Sequence, residues 1–277
     1  MTAQPAFIPI SMAGARALGI DTFDIIFVSG DAYVDHPSFA TALLSRALWE
    51  EGYSVGIIAQ PDWKRPDDFL RLGTPRLFFA ISAGNVDSMV SHYTARKRLR
   101  STDAYSPGGR LNRPDRASLV YADRLHSLFP ETPLVIGGIE ASLRRFAHYD
   151  YWSDRVRQSL LADAPADLLV FGMGELTLSG IAQRLSSGED ISEIVDIRGT
   201  VTKRSLHTPE EEISRDAVFV PSFSVVSSDR YLYARAFSLI HAEQDPVRGR
   251  RVVQAHPKSL IIQNPPSRPL STAELDR

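Results

Sequence analysis

The chain of 277 residues contains no cysteine. It therefore forms no disulfide, offers no thiolate to a metal and has no thiol nucleophile. No apolar run approaches the roughly 20 residues that a membrane-spanning helix needs, and the N-terminal stretch MTAQPAFIPISMAG lacks the basic and apolar regions of a signal peptide. These absences predict a cytoplasmic protein with no membrane partner, and the missing thiols are consistent with a reducing compartment.

The chain also lacks an excess of either charge. It has 31 basic and 33 acidic residues and a formal net charge of -2, so the molecule as a whole has no electrostatic attraction to nucleic acid or to an anionic membrane. Its hydrophobic content of 43% is ordinary for a soluble globular protein. The near-neutral charge disfavours nucleic acid as a partner. The length predicts one large domain or two small ones.

What the sequence does contain is an alternation of short apolar runs with helical patterns. The apolar runs predict strands at 24–28, 53–59, 76–81, 133–136 and 167–171. The helical patterns lie at 38–51, 115–128, 153–162 and 175–187. Strand, helix and strand repeated in this way predict an α/β fold with a mostly parallel, five-stranded sheet and right-handed crossovers.

Four regions follow from where this alternation starts and stops. Residues 1–21 are predicted to be an N-terminal extension, and residues 22–190 form the α/β domain. Residues 191–262 read as an irregular α+β extension, with a helix at 228–243 and one or two short strands at 252–262. Residues 263–277 are rich in proline and resemble a linker to a further domain.

Polar residues gather in the loops that follow the predicted strands. The carboxyl ends of parallel strands share one edge of a sheet, and ligands bind at that edge. The candidate ligand-binding residues in these loops are Asp31, Asp35, His36, Gln60, Asn85, Asp87, Ser88, Gly137, Gly138, Glu140, Gly174 and Glu175. The alternative is that the glycines only serve the turns that such loops need, and that His36 caps a helix start.

The segment 140–154 (EASLRRFAHYDYWSD) is dense in charged and aromatic residues. Arg144 and Arg145 are candidates to bind a phosphate or carboxylate, His148 is a candidate acid, base or axial ligand, and Tyr149 is a candidate to stack on a planar group. The alternative is a helix that packs its aromatic side chains on the sheet and leaves its arginines in solvent.

Residues 92–116 form a long basic loop, which in a compact domain is usually functional or disordered. Three interpretations stay open: a polyanion-binding surface, a solvated charged face, and a lid fixed by Arg–Asp pairs. A solvated face is the commoner outcome for such a run of charges. Arg113, Asp115 and Arg116 lie in the segment NRPDR, on which the lid interpretation rests, and we include them among the candidate site residues.

Several segments together resemble one family. They are GDAYVDHPSF (30–39), IIAQPDW (57–63), GNVDSMVSHYTARK (84–97), RPDRASLVY (113–121), GGIEASLRRFAHYDYWSD (137–154), ADLLVFGMGE (166–175) and QNPPSRPLSTAELD (263–276). They are similar to the N-terminal region of the uncharacterised YgiQ-like radical SAM proteins. The resemblance implies that residues 22–190 are a Rossmann-like, cobalamin-binding-like domain and that a radical SAM barrel follows the linker.

In the full-length family, the resemblance implies a [4Fe-4S] cluster held by a Cys-x-x-x-Cys-x-x-Cys loop, with S-adenosylmethionine as its partner. This chain has none of those cysteines, so it is expected to be a non-catalytic accessory domain that binds substrate or cofactor. Its implied partners are the C-terminal radical SAM domain and an unknown small-molecule or macromolecular substrate. Cobalamin stays a candidate cofactor, although Asp35-His36-Pro37 lacks the Asp-x-His-x-x-Gly spacing of His-ligated corrinoid domains. The alternative is a stand-alone module that binds a corrinoid or a nucleotide.

Overall fold

The computed structural model of the chain describes residues 5–275. The first four residues of the predicted N-terminal extension and the last two residues of the predicted linker lie outside this range. Within residues 5–275 no helix has both the length and the apolar character to cross a membrane.

The helices and strands follow the predicted alternation over the first two-thirds of the chain. The helices are α1 (Met12–Ala17), α2 (Ala40–Glu50), α3 (Asp67–Leu70), α4 (Ser88–His92), α5 (Ala117–Leu128), α6 (Gly138–Leu143), α7 (Leu160–Asp163), α8 (Glu175–Ser186), α9 (Glu210–Ile213), α10 (Phe223–Val226), α11 (Arg230–Ala242) and α12 (Thr272–Leu275). The strands are β1 (Ile25–Ser29), β2 (Val55–Ala59), β3 (Phe78–Ser82), β4 (Leu134–Gly137), β5 (His148–Asp150), β6 (Arg155–Arg157), β7 (Leu168–Val170), β8 (Thr200–Arg204), β9 (Val218–Val220), β10 (Val252–Ala255) and β11 (Leu260–Gln263).

One sheet organises the molecule, with the strand order β2-β1-β3-β4-β7-β8-β11-β10-β9. Its first five strands are mutually parallel. These are the five strands that the apolar runs predicted, so the α/β class and the mostly parallel sheet are confirmed. The order β2-β1-β3-β4-β7 is the flavodoxin-like order, whose crevice for ligands lies where β1 and β3 meet. Because this order is common to many α/β proteins, it identifies no cofactor.

The prediction of five strands was wrong, since the sheet has nine. Strand β8 pairs antiparallel with β7, β11 with β8 and β10 with β11, and β9 closes the edge parallel to β10. The C-terminal extension therefore continues the sheet of the α/β domain. Its strands were missed as sheet members because they are short, partly exposed and not separated by regular crossover helices. The division into four regions stays a prediction.

The predicted helix at 153–162 was also wrong. Asp154 has a positive φ of 52°, which turns the chain tightly enough for β5 and β6 to pair as an antiparallel hairpin. Only residues 160–162 of that span are helical, in α7, which the Ser159 hydroxyl caps by accepting a hydrogen bond from the Leu161 backbone N–H. The aromatic residues of the segment suit a hairpin at least as well as a helix.

Both faces of the parallel strands are covered, which explains their uniformly apolar sequences. Along β1, Ile26 and Val28 belong to the apolar layer under α5, whereas Ile25 and Phe27 belong to the layer under α2 and α8. All five residues of β1 are buried. This double cover fixes the register of β1 and so the place where its carboxyl end, and the polar loop after it, emerge.

The chain turns sharply as it leaves β1, because Gly30 lies against the backbone at the end of β3. A Cβ at Gly30 would lie 2.2 Å from the Ala83 carbonyl oxygen. We expect Gly30→Ala to lower the free energy of unfolding by roughly 1–3 kcal/mol, since backbone atoms would have to move apart. Urea unfolding of the isolated chain measures this change.

The matched control is Gly180→Ala inside α8. A Cβ there would meet only the Ile197 side chain at an ordinary contact distance of 3.6 Å. We expect the control to raise the free energy of unfolding by about 0.5–1 kcal/mol, because alanine is the better helix former. Equal effects of the two substitutions would contradict the close approach at Gly30.

Candidate functional site at the carboxyl edge of the sheet

The crevice between the carboxyl ends of β1 and β3 is filled by the side chain of Arg113. This arginine comes from the long loop between α4 and α5, and its side chain has no exposed surface. Its guanidinium donates to Asp31 Oδ1 at 2.8 Å and to Asp103 Oδ2 at 3.1 Å. We refer to Arg113, Asp31 and Asp103 as the Arg113 plug. Two carboxylates around one guanidinium form a charged network in the place where an α/β protein usually binds its ligand.

Backbone groups complete the Arg113 plug. The guanidinium also donates to the Ala83 carbonyl at 2.6 Å and the Val86 carbonyl at 3.2 Å, and the Asn85 backbone N–H donates to Asp31 Oδ2 at 2.6 Å. Gly84, with φ +109°, leaves room for Asp31, since a Cβ there would lie 2.1 Å from Asp31 Oδ1. Burial raises the pKa of Asp31, and the Asn85 N–H and the guanidinium oppose that rise.

Little space remains beside the plug. The Gln60 side-chain amide donates to the Gly30 carbonyl at 3.0 Å and to the Ser106 hydroxyl, which ties β2 to the long loop. The Asn85 amide donates to the Ser38 carbonyl at 3.0 Å. A cavity of about 10 Å³ lies next to Asp31, which is no larger than a single water requires. The candidates Asp31, Gln60, Asn85 and Arg113 thus lie together, and their polar groups bind one another.

A second buried network lies beside β4 and is built on Glu140. Its side chain is held by the starts of two helices: Oε2 accepts from the Ser88 backbone N–H at 2.9 Å and from the Ser88 hydroxyl, and Oε1 accepts from the Ser118 N–H at 3.0 Å. Helix N-termini favour a negative charge, which accounts for a carboxylate with only 1% of its surface exposed. Glu140 therefore fixes α4 and α5 relative to α6.

Arg144 and Asp87 extend this network toward the surface. Asp87 caps α4 by accepting from the Met89 N–H at 2.9 Å and the Val90 N–H at 3.2 Å. Its other oxygen forms an ion pair with the Arg144 guanidinium. The predicted phosphate or carboxylate clamp at Arg144 is thus occupied by a carboxylate of the chain itself.

The basic loop is fastened to the β5–β6 hairpin by Arg–Asp and aromatic contacts. Arg116 donates to Asp150 Oδ2 at 2.8 Å. Asp115 accepts from the His92 ring at Nδ1 and from the Tyr93 hydroxyl, both at 2.9 Å.

At the other end of the loop, the Tyr151 hydroxyl donates to the Ala95 carbonyl at 2.5 Å, and the Lys97 ammonium lies 4.7 Å from the centre of the Tyr151 ring. The Arg–Asp pairs that the lid interpretation requires are present at Arg113 and Arg116, and the role of the loop as a lid stays a prediction.

Arg145 has a different environment, in which its hydrogen-bond acceptors among the described residues are neutral. It donates to Gln263 Oε1 at 2.7 Å, to Gln244 Oε1 at 2.9 Å and to the Ser142 carbonyl. Its guanidinium lies 5.1 Å from the centre of the Phe171 ring, within range of a cation–π contact. Burial lowers the pKa of Arg145 to about 10. Arg145 thus joins α6 to the C-terminal strands through neutral acceptors.

His148 lies near a second histidine, His256, that the sequence did not indicate. The His148 ring donates from Nδ1 to the Phe146 carbonyl at 3.1 Å. Gln254 Oε1 accepts from the Ala147 backbone N–H at 2.8 Å, and the His256 ring lies 3.2 Å away through Nε2. Since this oxygen only accepts, His256 carries its proton on Nε2, and its buried Nδ1 has no partner among the described residues. Burial lowers the pKa of each ring to about 4.

The remaining candidates are dispersed. Asp35 pairs with Arg46, whose guanidinium also donates to the Pro5 and Ala6 carbonyls and so holds the N-terminal segment. His36 accepts the Ser38 N–H at Nδ1 in a local turn that precedes α2. The N-cap residue of α2 is Phe39, without a side-chain hydrogen bond, so His36 does not cap that helix.

Tyr149 is half exposed and donates to Asp154. Gly137 ends β4, and Gly138 has a φ of +81° beside Ser82. Gly174 precedes α8, and Glu175 starts it with a buried Oε2 that lacks a partner among the described residues.

The described residues do not suit either cofactor that the sequence suggested. The chain has no cysteine to ligate a [4Fe-4S] cluster, and within residues 5–275 no group of three or more His, Asp or Glu side chains is placed to hold a metal. A corrinoid at the β1–β3 crevice would have to displace the Arg113 plug, and the His36 ring already serves its own turn. Ligand binding by the candidate residues stays a prediction.

Sequence reasoning missed Asp103, Gln254 and His256. Asp103 lies inside the basic loop. The only feature of the local sequence that pointed to it was its position, as a carboxylate ten residues before Arg113. Gln254 and His256 meet the β5–β6 hairpin across more than a hundred residues of chain. No local pattern in the sequence reports such a contact.

Removing the cation of the Arg113 plug tests its structural role. We expect Arg113→Ala to lower the free energy of unfolding at pH 7 by about 3–5 kcal/mol, because Asp31 and Asp103 would stay buried without a counter-charge. The loss should shrink toward pH 4, since burial raises the pKa of Asp31 and so allows its protonation. Urea unfolding at the two pH values measures both effects. Arg110→Ala, at an exposed position in the same loop, is the control and should change stability by less than about 0.5 kcal/mol.

The two buried histidines predict a loss of stability in mild acid. Because their pKa is about 4 in the folded chain and 6.5 for an unperturbed histidine, the unfolded chain binds protons first as the pH falls. Their contribution is complete above pH 6.5 and disappears as the pH falls toward 4, by about 2 kcal/mol per ring at pH 5. Unfolding at pH 7.5 and pH 5 measures it. The double variant His148→Gln, His256→Gln should show a smaller difference between the two pH values, and an unchanged difference would contradict the assignment.

Comparison with known proteins agrees with the resemblance seen in the sequence. A family model described as Radical SAM N-terminal matches residues 7–277. A UPF0313 protein of Methanosarcina mazei is 51% identical over 293 residues, which cover 94% of this chain and 47% of that protein. A UPF0313 protein of Methanocella arvoryzae is 54% identical over 262 residues, covering 94% of this chain and 43% of the relative. A third, from Clostridium botulinum, is 48% identical over 273 residues, covering 98% and 41%.

The chain spans less than half the length of these curated relatives. The match to the family model extends over nearly the whole chain, and the identities near 50% leave no doubt about common ancestry. The resemblance to the YgiQ-like radical SAM proteins is thereby confirmed, and this chain belongs to the Radical SAM N-terminal family.

Proposed function

We propose that the chain is the non-catalytic N-terminal accessory domain of a radical SAM enzyme, and that it provides a rigid cap for the radical SAM region. The observation that carries the proposal is the Arg113 plug. In a domain whose strand order is that of many ligand-binding proteins, the crevice for ligands is closed by the chain's own buried ion pairs. A domain that is closed in this way is rigid, and its proposed role is to support the radical SAM region.

The chemistry of the residues indicates which part of the enzyme would hold the cofactors. A [4Fe-4S] cluster needs thiolates, and this chain supplies none. The cluster and S-adenosylmethionine would therefore belong to the remaining part of the enzyme, where they would supply the radical that starts the reaction. The described residues of this chain would orient that part and limit the access of water and substrate to it.

The alternative of a stand-alone corrinoid or nucleotide module has less support. The cavity beside Asp31 is about 10 Å³, and the polar groups around it are paired with one another. A corrinoid or a nucleotide would have to open the lid made by residues 93–116 and break the ion pairs of a fully buried arginine. Breaking such a pair costs several kcal/mol before any ligand contact forms.

The experiment compares this chain alone with a chimera. In the chimera, this chain replaces the matching N-terminal part of the Methanosarcina mazei relative, so that the relative's remaining half follows it. Both proteins are reconstituted with iron and sulfide without oxygen. We expect iron–sulfur absorption and cleavage of S-adenosylmethionine only from the chimera, because only that half would supply thiolates.

A second measurement addresses the alternative. Equilibrium dialysis of the isolated chain against cobalamin, and against ATP, should show no retention of either ligand. Retention of cobalamin with unchanged absorption bands in His36→Ala would favour a corrinoid module without a histidine ligand. A chimera that folds and yet assembles no cluster would refute the proposed function.

A further inference from the structure

We infer that the carboxyl edge of the sheet is the surface on which the radical SAM region of the same polypeptide docks. This inference rests on the proposed function and adds to it the face that is used. The contact would be made by an apolar rim of side chains, which we define as Val90, Ile139, Leu143, Met173 and Leu176, together with a cleft beside Met173. The occupant is the half of the protein that the relatives have and this chain does not.

The apolar rim is exposed where an α/β domain is normally polar. Leu143 and Met173 have 61% and 64% of their surface exposed, and Val90 has 50%. Ile139 and Leu143 lie four residues apart on α6, so they occupy one face of that helix. Exposed apolar side chains that occur singly need no explanation, but a contiguous group of them marks a surface that another structure covers.

Hydrogen bonds between neighbouring residues bring the segments that carry the rim close to one another. The Gly172 N–H donates to the Ser142 hydroxyl at 3.3 Å, which brings the residue before Met173 against the residue before Leu143. Arg144 pairs with Asp87, which caps α4, the helix that carries Val90. The start of α4, the end of α6 and the turn before α8 therefore lie next to one another at the carboxyl edge.

A cleft of about 480 Å³ extends this face toward the last described residues. Its walls are mostly apolar: Phe171, Gly172, Met173, Gln244, Pro246, Pro266, Ser267, Arg268, Pro269, Leu270 and Leu275. Leu275 is 66% exposed. Segment 266–275 thus runs along the same edge as the rim, so a domain that follows it would start beside the proposed surface.

The polar network under the apolar rim holds the rim rigidly and leaves none of its own charges unpaired. Glu140, Arg144 and Asp87 are satisfied by one another and by helix N-termini, so no unpaired charge of that network would have to be desolvated on docking. Because those hydrogen bonds hold the starts of α4 and α5 against α6 in advance, docking would order few groups there. On docking, the apolar side chains of the rim would become the buried core of the interface, which is more apolar and poorer in charge than its surroundings.

The occupant follows from the length of the relatives. This chain covers between 41% and 47% of the three relatives described above, so more than half of each relative needs a surface on which to pack. A second copy of this chain is the competing occupant. It would predict concentration-dependent burial in the isolated chain, which the experiment can detect.

The test is amide hydrogen exchange of this chain alone and of the chimera with the Methanosarcina mazei relative. Peptides that cover 138–144, 171–177 and 266–275 should exchange roughly tenfold or more slowly in the chimera. Peptides that cover α11, where Tyr231 and Phe237 are also exposed, should be unchanged. The isolated chain should give the same exchange at low and high concentration.

Variants then show whether the apolar rim causes the protection. Leu143→Asp with Met173→Asp should abolish the slow exchange in the chimera, and the isolated double variant should keep its melting temperature because both side chains are exposed. The matched control, Tyr231→Asp with Phe237→Asp, should leave the exchange of the rim unchanged.

Three results would overturn the inference. If the chimera holds its cluster but protection lies on α11 or elsewhere, the docking face is wrong while the proposed function stands. Concentration-dependent protection of the rim in the isolated chain would assign the face to a second copy. A chimera that folds without a cluster refutes the proposed function, and this inference fails with it.

Discussion

A single buried guanidinium determines how this α/β domain is organised. Arg113 reaches the meeting point of β1 and β3 from a loop that begins more than twenty residues earlier, and it is neutralised there by Asp31 and Asp103. A charge with no exposed surface is tolerated only when it is paired and hydrogen-bonded. The loop, the ends of both strands and Gly84 must therefore be in place together, or the charges lose their partners.

The buried ion pairs of Arg113 also determine which groups the carboxyl edge of the sheet presents. In related folds this edge is a crevice that a cofactor occupies, whereas here the crevice is closed and the polar candidates bind one another. What the edge presents to solvent is the apolar rim of Val90, Ile139, Leu143, Met173 and Leu176. The chain belongs to the Radical SAM N-terminal family and spans less than half the length of its relatives, and we propose that the remaining region covers this face. This chain has no cysteine and therefore no thiolate to offer as a ligand.

Prediction from the sequence succeeded where the physics is local or periodic. The runs that became β1, β3 and β4 are apolar at nearly every position, because both faces of a parallel sheet are covered. It failed at 153–162, where the backbone of Asp154 turns the chain into a hairpin. It found the helix at 228–243 and short strands at 252–262, but not that the short strands of 200–263 add to the sheet at the free edge of β7. Many of the candidate residues do lie at one edge of the sheet, as their positions after the strands predicted. The hydrogen bonds and ion pairs that they form depend on partners that lie far away in the chain.

The sequence by itself determined the α/β class, the five parallel strands, the family and the absence of any thiolate chemistry, because composition, periodicity and long matching segments are properties of the chain. Only the tertiary structure decided that Arg113 closes the crevice, that Arg144 is neutralised by Asp87, that Arg145 is held by amides, and that His148 lies beside His256. Each of these depends on which group a side chain meets across dozens of residues. An arginine that binds a ligand and one that binds a buried carboxylate are the same residue type in the sequence, and the difference between them arises only on folding.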